Sequence, residues 1–226
     1  MPFKGGFGVT TIVLVRHGHT AFNKGGPEHD QFRGTSDIPL DDRGLLEAEA
    51  TARAVATRWQ PAAVYSSPLQ RAMKTADAIA RRCGLSPIPE PALLDINYGS
   101  LGWTGLTVSE AALQQPRLVD AWLNAPEKFR APDGDSLQGI RRRVTHLLKR
   151  LALLHNGETI VLVSHDLVIR LALLAAMGLP THDFWRIRQD TCAINVLQHQ
   201  DGVFFLALVN DTGHIQQTDR QAAQRR

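Results

Sequence analysis

The sequence predicts an α/β fold in which a mostly parallel central sheet lies between two layers of helices. Short apolar runs rich in β-branched residues, typical of strands buried on both faces, occur at 9–15 and 159–163. Helical patterns follow such runs along the chain, and this alternation is typical of parallel sheets covered on both faces. With 226 residues, 43% of them hydrophobic, we expect one domain built as a three-layer sandwich.

The first strand ends abruptly at polar residues. The run 9–15 is followed directly by Arg16, His17 and Gly18. Successive residues of a continuing strand point to opposite faces, so the chain must turn at Gly18 if Arg16 and His17 are to serve one site. In open α/β sheets, this end of a strand is where ligands bind.

The next elements are predicted from their end signals. Asp41 is an N-cap for a helix that is rich in alanine and glutamate as far as Arg58. A short strand follows at 62–65. A second helix starts at Ser67-Pro68, with serine as the cap and proline at the first helical position, and Gly84 stops it after about residue 82.

The second half of the chain repeats the strand and helix pattern. Apolar residues at helical spacing predict an amphipathic helix over 137–155, and a helix over 166–177 follows the strand 159–163. The segments 193–199 and 203–209 are joined across Asp201-Gly202, which predicts a terminal hairpin.

Three segments do not follow the regular pattern. The polar, glycine-rich residues 24–37 form a long loop, and loops of this length are usually functional. Residues 86–136 hold half of the prolines, with short helices predicted from Val108 and near 117–123. We interpret about 96–136 as a cap over the site, in which Trp103, Trp122 and Phe129 either line the entrance or pack the cap. We expect flexible ends at about 1–8 and 212–226.

Composition and charge exclude several classes of protein. The net charge is +3, and the run 141–143 of three arginines is better explained as a solvated helix face than as a nucleic-acid footprint. Two distant cysteines indicate neither a disulfide framework nor a zinc site. The N-terminus does not have the shape of a signal peptide, and the apolar run 167–179 is too short to span a bilayer. We expect a cytoplasmic protein without nucleic-acid or membrane partners.

Two histidines stand directly after two buried strands. His17 follows the run 9–15, and His165 follows the run 159–163 after Ser164. Because the carboxyl ends of parallel strands meet at one edge, we expect the two imidazoles to converge. A metal site is the weaker interpretation, because neither a third histidine nor a carboxylate cluster lies at ligand spacing, and we expect no metal and no cofactor.

Two arginines are candidates for an anion site, although an arginine on a helix is ordinarily a surface residue. Arg71 lies near a predicted helix N-terminus, where unpaired backbone N–H groups favour an anion. With Arg16 it supplies planar, permanently charged guanidinium groups that match phosphate oxygens.

These motifs together resemble the histidine phosphatase superfamily, which contains the cofactor-dependent phosphoglycerate mutases and many small phosphatases, and the chain is most similar to the small phosphatase branch. The resemblance covers about residues 10–198. The matching segments occur in the expected order: Arg16-His17-Gly18-x-Thr20 with Asn23, the looser Gly34-Thr35-x-Asp37, Ser67-x-Leu-x-Arg71-Ala72, Leu94-Asp95 through Gly99 with Trp103-Thr-Gly105, and Thr159 through His165 with Arg170.

The resemblance implies a metal-independent phosphatase that hydrolyses small phosphate monoesters through a phosphohistidine, releasing inorganic phosphate. It makes His17 the nucleophile and surrounds the phosphate with Arg16, Arg71 and His165. Further substrate contacts are expected from Asn23, Gly34, Thr35, Ser164 and Asp166.

The general acid and base is left open among three aspartates. The family usually has a glutamate where Asp95 stands, and aspartate can perform the same proton transfers with a side chain one methylene shorter. Asp166 follows His165, as in the related histidine acid phosphatases, where a His-Asp pair supplies the proton. Asp135 matches a more distal motif or caps the following helix.

Two alternative functions remain. The mutases carry Glu-Arg-His-Tyr-Gly where this chain has Asp95-Ile-Asn-Tyr-Gly99, so the arginine and histidine that would engage a second anionic group are missing, and a phosphatase is favoured. The second alternative is a catalytically weak protein that binds a phosphorylated ligand, or a regulatory protein that binds a partner protein without turnover. The substrate and the oligomeric state are not determined by the sequence, and a homodimer is left open.

Overall fold

The computed structural model describes residues 8–25 and 29–215, so most of the expected flexible ends lies outside the described residues. The strands in chain order are β1 (Thr10–Arg16), β2 (Ala63–Ser66), β3 (Pro87–Pro89), β4 (Thr159–Ser164), β5 (Ile194–Gln200) and β6 (Val203–Asp211). Within the described residues they form one sheet of order β3-β2-β4-β1-β5-β6. The first four in this order run parallel, and β5 and β6 are antiparallel at one edge, which confirms the mostly parallel sheet.

Helices cover both faces of the sheet. They are α1 (Asp42–Arg58), α2 (Gln70–Arg82), α3 (Val108–Gln114), α4 (Pro116–Asn124), α5 (Leu137–Leu154) and α6 (Asp166–Ala176). Alternate residues of β1 point to opposite faces, so Val13 packs in the cluster that contains α1 and α2, and Ile12 packs in the cluster that contains α5, α6 and the cap. The predicted three-layer arrangement is confirmed.

Of the two predicted helix N-caps, Asp41 was correct and Ser67 was wrong. Asp41 caps α1, because its Oδ1 accepts a hydrogen bond from the Gly44 N–H at 2.9 Å. Ser67 does not cap α2, which begins three residues later, at Gln70, with Leu69 in the N-cap position. Asp37, from the loop before α1, accepts the Gln70 N–H at 2.7 Å instead. A carboxylate distant in sequence therefore satisfies an N–H group at the start of α2.

The segment between α2 and α5 contains the cap. It begins with β3, a three-residue edge strand that the sequence analysis placed in an irregular region. The cap packs around buried aromatic rings: Trp103 and Phe129 lie 5.5 Å apart between ring centroids, and Phe32 from the loop before α1 lies 4.7 Å from Trp103. The cap therefore shares one hydrophobic cluster with α5 and α6.

The C-terminal hairpin is observed where it was predicted. Asp201 and Gly202 both have positive φ angles, as a two-residue hairpin turn requires. The chain remains packed beyond the expected boundary at residue 212, because His214 is buried and its Nε2 lies 3.0 Å from the Thr51 hydroxyl. The expectation of a flexible tail was thus wrong for residues 212–215.

A close contact between two glycines sets the path of the chain after β1. A Cβ on Gly18 would lie 2.5 Å from the Gly44 carbonyl oxygen, and a Cβ on Gly44 would lie 2.0 Å from the His19 carbonyl oxygen. Glycine is therefore needed at both positions because α1 and the end of β1 approach each other closely. In residues 8–25 and 29–215, no helix is both long and apolar enough to cross a bilayer.

Candidate active site

The site lies at the carboxyl edge of the two central parallel strands. Arg16 at the end of β1 is in register with Ser164 at the end of β4, and the His17 N–H donates to the Ser164 carbonyl at 2.9 Å. The next residue of each strand is therefore a histidine at the same edge. The ring centroids of His17 and His165 are 5.2 Å apart, so the predicted convergence of the two imidazoles is observed.

The tautomer of His17 follows from its hydrogen bond. Nδ1 lies 2.7 Å from the Gly18 carbonyl oxygen, which can only accept, so Nδ1 carries the ring proton. Burial, followed by repulsion from Arg71, His165 and Arg16, holds the pKa of His17 well below 6.5. The imidazole is therefore neutral at pH 7, with its lone pair on Nε2.

His165 is oriented by Ser67, the residue directly after the neighbouring strand β2. Its Nε2 lies 2.8 Å from Ser67 Oγ, which also accepts from the Leu69 N–H at 3.5 Å. We assign the hydroxyl proton to this bond, which places the ring proton of His165 on Nδ1. That Nδ1 has no hydrogen-bond partner among the described residues and lies 3.6 Å from Asp95 Oδ2. Burial, then Arg71, lowers the pKa of His165 as well.

Asp95 lies between His165 and Arg71 and is almost fully buried. Its Oδ2 accepts from Arg71 Nη2 at 3.1 Å, and its Oδ1 accepts from the Ile96 N–H at 2.9 Å. These bonds favour the carboxylate, but burial outweighs them and raises the pKa of Asp95 above its ordinary value.

Arg71 joins α2 to the loop that follows β1. Nη1 donates to the Ser36 carbonyl and Nη2 to the Gly34 carbonyl, each at 2.7 Å. Burial lowers the pKa of Arg71, and Asp95 opposes that shift. Arg16 is held in a similar way, with Nη1 donating to the Gln189 carbonyl at 2.5 Å. The Nε atoms of both arginines are buried without hydrogen-bond partners in the described part of the chain.

A further buried guanidinium, Arg33, was not found by the sequence analysis. Its Nη1 donates to Asn23 Oδ1 at 3.1 Å and to Thr20 Oγ1 at 3.3 Å, and Nη2 lies 3.9 Å from Asp30 Oδ2. Burial, and then repulsion from Arg16, lowers its pKa to about 10. Its position directly before Gly34, in a loop already expected to be functional, was the available signal.

One cavity of about 720 Å³ opens onto this cluster. Its lining includes Arg16, His17, Arg33, Gly34 and Asp95, while Arg71 and His165 are fully buried behind them. Within residues 8–25 and 29–215, no three histidine, cysteine, aspartate or glutamate side chains are grouped to hold a metal ion.

Asn23 and Thr35, two residues predicted to contact the substrate, are not placed as expected. Asn23 lines the cavity, but its Oδ1 accepts from Thr20 and Arg33 and its Nδ2 donates to Asp30, so it mainly holds the loop and Arg33 in place. Thr35 is exposed and does not line the cavity.

Two other predicted contacts are occupied by protein groups. The Ser164 hydroxyl donates to the Leu93 carbonyl at 2.8 Å and faces away from the cavity lining. Asp166 lines the cavity, but both of its carboxylate oxygens accept from Arg170.

Asp135, the third candidate for the acid, lies away from the cluster. Its Oδ2 accepts from the Asn97 N–H at 2.8 Å, and it does not line the cavity. It does not cap α5 either, because the Ser136 Oγ accepts from the Gly139 N–H at 3.1 Å. Of the three aspartates in the described structure, only Asp95 has a carboxylate oxygen within 4 Å of a His165 ring nitrogen.

Of the aromatic side chains expected at the entrance, most pack the cap. Trp103 and Phe129 are fully buried, and only Trp122 of the three lines the cavity. The sequence analysis missed Trp185, which lines the cavity while 38% exposed.

Comparison with known proteins gives a match over most of the chain. A sequence model described as the histidine phosphatase superfamily (branch 1) matches residues 12–212. The bifunctional protein Rv2228c of Mycobacterium tuberculosis is 32% identical over 207 residues, which are 91% of this chain and 55% of that protein. The chain thus spans about half the length of this relative.

Two further similar proteins are phosphoserine phosphatases. Phosphoserine phosphatase 1 of Hydrogenobacter thermophilus is 29% identical over 204 residues, which are 90% of this chain and 93% of that protein. The crystal structure of a phosphoserine phosphatase mutant from Entamoeba histolytica in complex with phosphoserine has a TM-score of 0.79 and 26% identity, with coverage of 91% of this chain and 99% of that chain.

Proposed function

Because the chain belongs to the histidine phosphatase superfamily, we propose that it is a phosphomonoesterase that hydrolyses small phosphate monoesters through a phosphohistidine. One observation carries the proposal. Arg16 Nε, Arg71 Nε and His165 Nδ1 are buried donors around His17 that lack hydrogen-bond partners among the described residues. Buried polar groups are normally paired, and an anion with several oxygens, such as a phosphoryl group, would pair all three.

In the first step, His17 Nε2 attacks phosphorus and the bond from phosphorus to the ester oxygen breaks. The neutral imidazole is the competent form, and the lowered pKa of His17 supports it at neutral pH. The departing alkoxide takes a proton from Asp95, whose raised pKa supports a protonated carboxyl group when the substrate binds.

In the second step, water attacks the phosphohistidine. The Asp95 carboxylate left by the first step takes the proton of that water, and the bond between phosphorus and His17 Nε2 breaks. The products are inorganic phosphate and free enzyme, and Asp95 is protonated again for the next turnover.

Charge stabilisation is assigned to the guanidinium groups. Arg16 and Arg33 line the cavity beside His17, and Arg71 lies behind Asp95. Preorganised donors of this kind supply most of the rate for phosphoryl transfer, because the protein needs to do little covalent chemistry. We propose that no metal ion takes part, since these cations already balance a phosphate dianion.

Hydrolysis is favoured over transfer to a second hydroxyl. The two residues after Asp95 are uncharged: Ile96 is buried, and the Asn97 side chain accepts from the Gly99 N–H at 2.9 Å. No cation therefore stands at these positions to hold a second anionic group. Relatives named phosphoserine phosphatase support small phosphate monoesters as the substrate class.

The test compares 4-nitrophenyl phosphate hydrolysis by the wild-type protein and by His17→Ala, in each case with and without EDTA. We expect His17→Ala to lose at least about a thousandfold in kcat, and EDTA to leave wild-type activity intact. His146→Ala, on the exposed face of α5, is the control and should retain full activity. Full activity in His17→Ala would refute the proposal.

A further inference from the structure

Part of the lining of the cavity that contains the reacting groups is aromatic, and its three rings are called the aromatic wall. Trp185, Trp122 and Phe184 all line this cavity together with Asp95. Trp122 and Phe184 are buried, whereas Trp185 is 38% exposed, so of these three rings Trp185 alone has a large accessible surface. The groups around His17 in the same cavity are strongly polar.

The indole of Trp185 is held in place from several sides. Its Nε1 donates to the Trp122 carbonyl at 2.8 Å. Its ring packs edge-on against Phe184 at a centroid distance of 4.7 Å and against Trp122 at 5.5 Å. The Arg170 guanidinium lies 5.2 Å from the centroid of the Trp185 ring. A ring fixed in this way can receive a flat group without losing conformational entropy of its own.

Arg170 also fixes the segment that carries the wall. It donates to the Phe184 and Ile187 carbonyls and to both oxygens of Asp166. These bonds hold the 3₁₀ turn Thr181–Arg186 against α6, the helix that begins directly after His165. The charges of Asp166 and Arg170 balance each other in this ion pair.

An arginine without a partner among the described residues also lines the cavity. Arg188 lines the cavity and is exposed, and it makes no hydrogen bond or ion pair with any of the described residues. The neighbouring arginine, Arg186, does not line the cavity and pairs with Asp183 at 2.9 Å. Of these two arginines, only Arg188 brings an unpaired charge to the cavity lining.

We propose that this wall, formed by Trp185, Trp122 and Phe184, is together with Arg188 the subsite for the alcohol part of the substrate. It selects phosphate monoesters whose alcohol part carries a flat apolar ring with an anionic substituent. The inference rests on the proposed function, because it places the ring beside Asp95, the group that protonates the departing oxygen. An indole face and an unpaired guanidinium are complementary to an aromatic carboxylate and offer little to a small neutral alcohol.

The test uses three esters of primary alcohols with similar leaving groups: propyl phosphate, 2-phenylethyl phosphate and the para-carboxylate of 2-phenylethyl phosphate. For the wild-type protein we expect kcat/KM to rise about tenfold from the propyl to the phenylethyl ester, and about threefold more with the carboxylate. O-phosphoserine serves as a polar comparison and should be a poorer substrate than the phenylethyl ester.

The variants separate the two parts of the subsite. Trp185→Ala should lower the ratio of phenylethyl to propyl kcat/KM about fivefold, and Trp185→Phe should keep most of it. Arg188→Gln should remove the preference for the carboxylate and leave the phenylethyl ratio in place. Arg186→Gln, the matched arginine outside the cavity, should keep both ratios. The Tm of each variant shows whether the wall still folds.

The outcomes distinguish failure of this inference from failure of the proposed function. Equal kcat/KM values for the propyl and phenylethyl esters, or a preference for phosphoserine over the phenylethyl ester, would overturn the subsite while hydrolysis itself stands. Hydrolysis of none of the esters, 4-nitrophenyl phosphate included, would overturn both.

Discussion

Nδ1 of His165 lies 3.6 Å from Oδ2 of Asp95, and both side chains are almost fully buried. Burial favours the neutral form of each group, so it lowers the pKa of His165 and raises that of Asp95. Burial therefore favours the neutral forms of His165 and Asp95 over an ion pair between them. Under the proposed mechanism, the raised pKa of Asp95 favours the protonated carboxyl group that donates to the leaving oxygen.

The first prediction concerns the acid. Asp95→Asn cannot deliver a proton, so kcat/KM for propyl phosphate should fall about 10²- to 10⁴-fold. For 2,4-dinitrophenyl phosphate the loss should be much smaller, because that leaving group departs without a proton. Steady-state kinetics on both esters measure the difference. An equal loss on both, or a loss that depends on the leaving group in Asp166→Asn instead, would contradict the assignment of Asp95.

The second prediction concerns Arg33. Arg33→Gln removes a buried cation from the cavity, so KM and the inhibition constant of inorganic phosphate should both rise about tenfold or more. Asn23→Ala, which removes the acceptor that holds Arg33, should shift both constants in the same direction by a smaller factor. Arg43→Gln is the control: Arg43 lines the same cavity but bonds to Glu47, and phosphate inhibition should change little. Unchanged inhibition in Arg33→Gln would exclude a role in phosphate binding.

The third prediction concerns stability against pH. The folded-state pKa of His165 lies well below 6.5, so the unfolded chain takes up the proton first as the pH falls. The stability contributed by the neutral imidazole is complete above pH 6.5 and is lost as the pH drops below that value. The free energy of unfolding in urea should thus fall less between pH 7.5 and 5.5 in His165→Gln than in the wild-type protein. The same loss in both would show that folding does not lower the pKa of His165.

The fourth prediction uses two glycines in matched positions. Gly44 in α1 and Gly139 in α5 are both the third residue of their helix, and each donates its N–H to the N-cap side chain. A Cβ on Gly44 would lie 2.0 Å from the His19 carbonyl oxygen, whereas a Cβ on Gly139 meets only the Ser136 hydroxyl at 3.2 Å. Gly44→Ala should lower the free energy of unfolding by about 1–3 kcal/mol or more, and Gly139→Ala should change it little. Similar urea midpoints for the two variants would contradict this explanation.

Most of the sheet and the position of the site could be predicted from the sequence. Polar residues directly after a buried strand indicate the edge of the sheet at which the functional site lies. Two such strands identified His17 and His165 as candidate site residues. The alternation of strands and helices predicted a mostly parallel sheet, and the structure adds that β1 and β4 are direct neighbours in it.

The parts that were missed depend on contacts between distant segments. The sequence around Ser67 is typical of a helix N-cap, but its hydroxyl forms a hydrogen bond with His165. Asp37, from another loop, accepts the N–H at the start of α2 instead. The local sequence around a helix start cannot reveal that a residue distant in the chain takes the place of the expected cap. Arg33 and Trp185 were missed because an arginine or a tryptophan in an irregular segment has no periodic pattern to indicate whether it faces a cavity.

Arg71 connects three stretches of chain through one guanidinium: the loop at Gly34 and Ser36, its own helix, and Asp95 beyond β3. None of these stretches can hold its part of the pocket until the other two have docked. Partly folded species should therefore be inactive even when the sheet has formed. In a refolding time course, recovery of phosphatase turnover should coincide with the slowest structural phase rather than accompany early collapse.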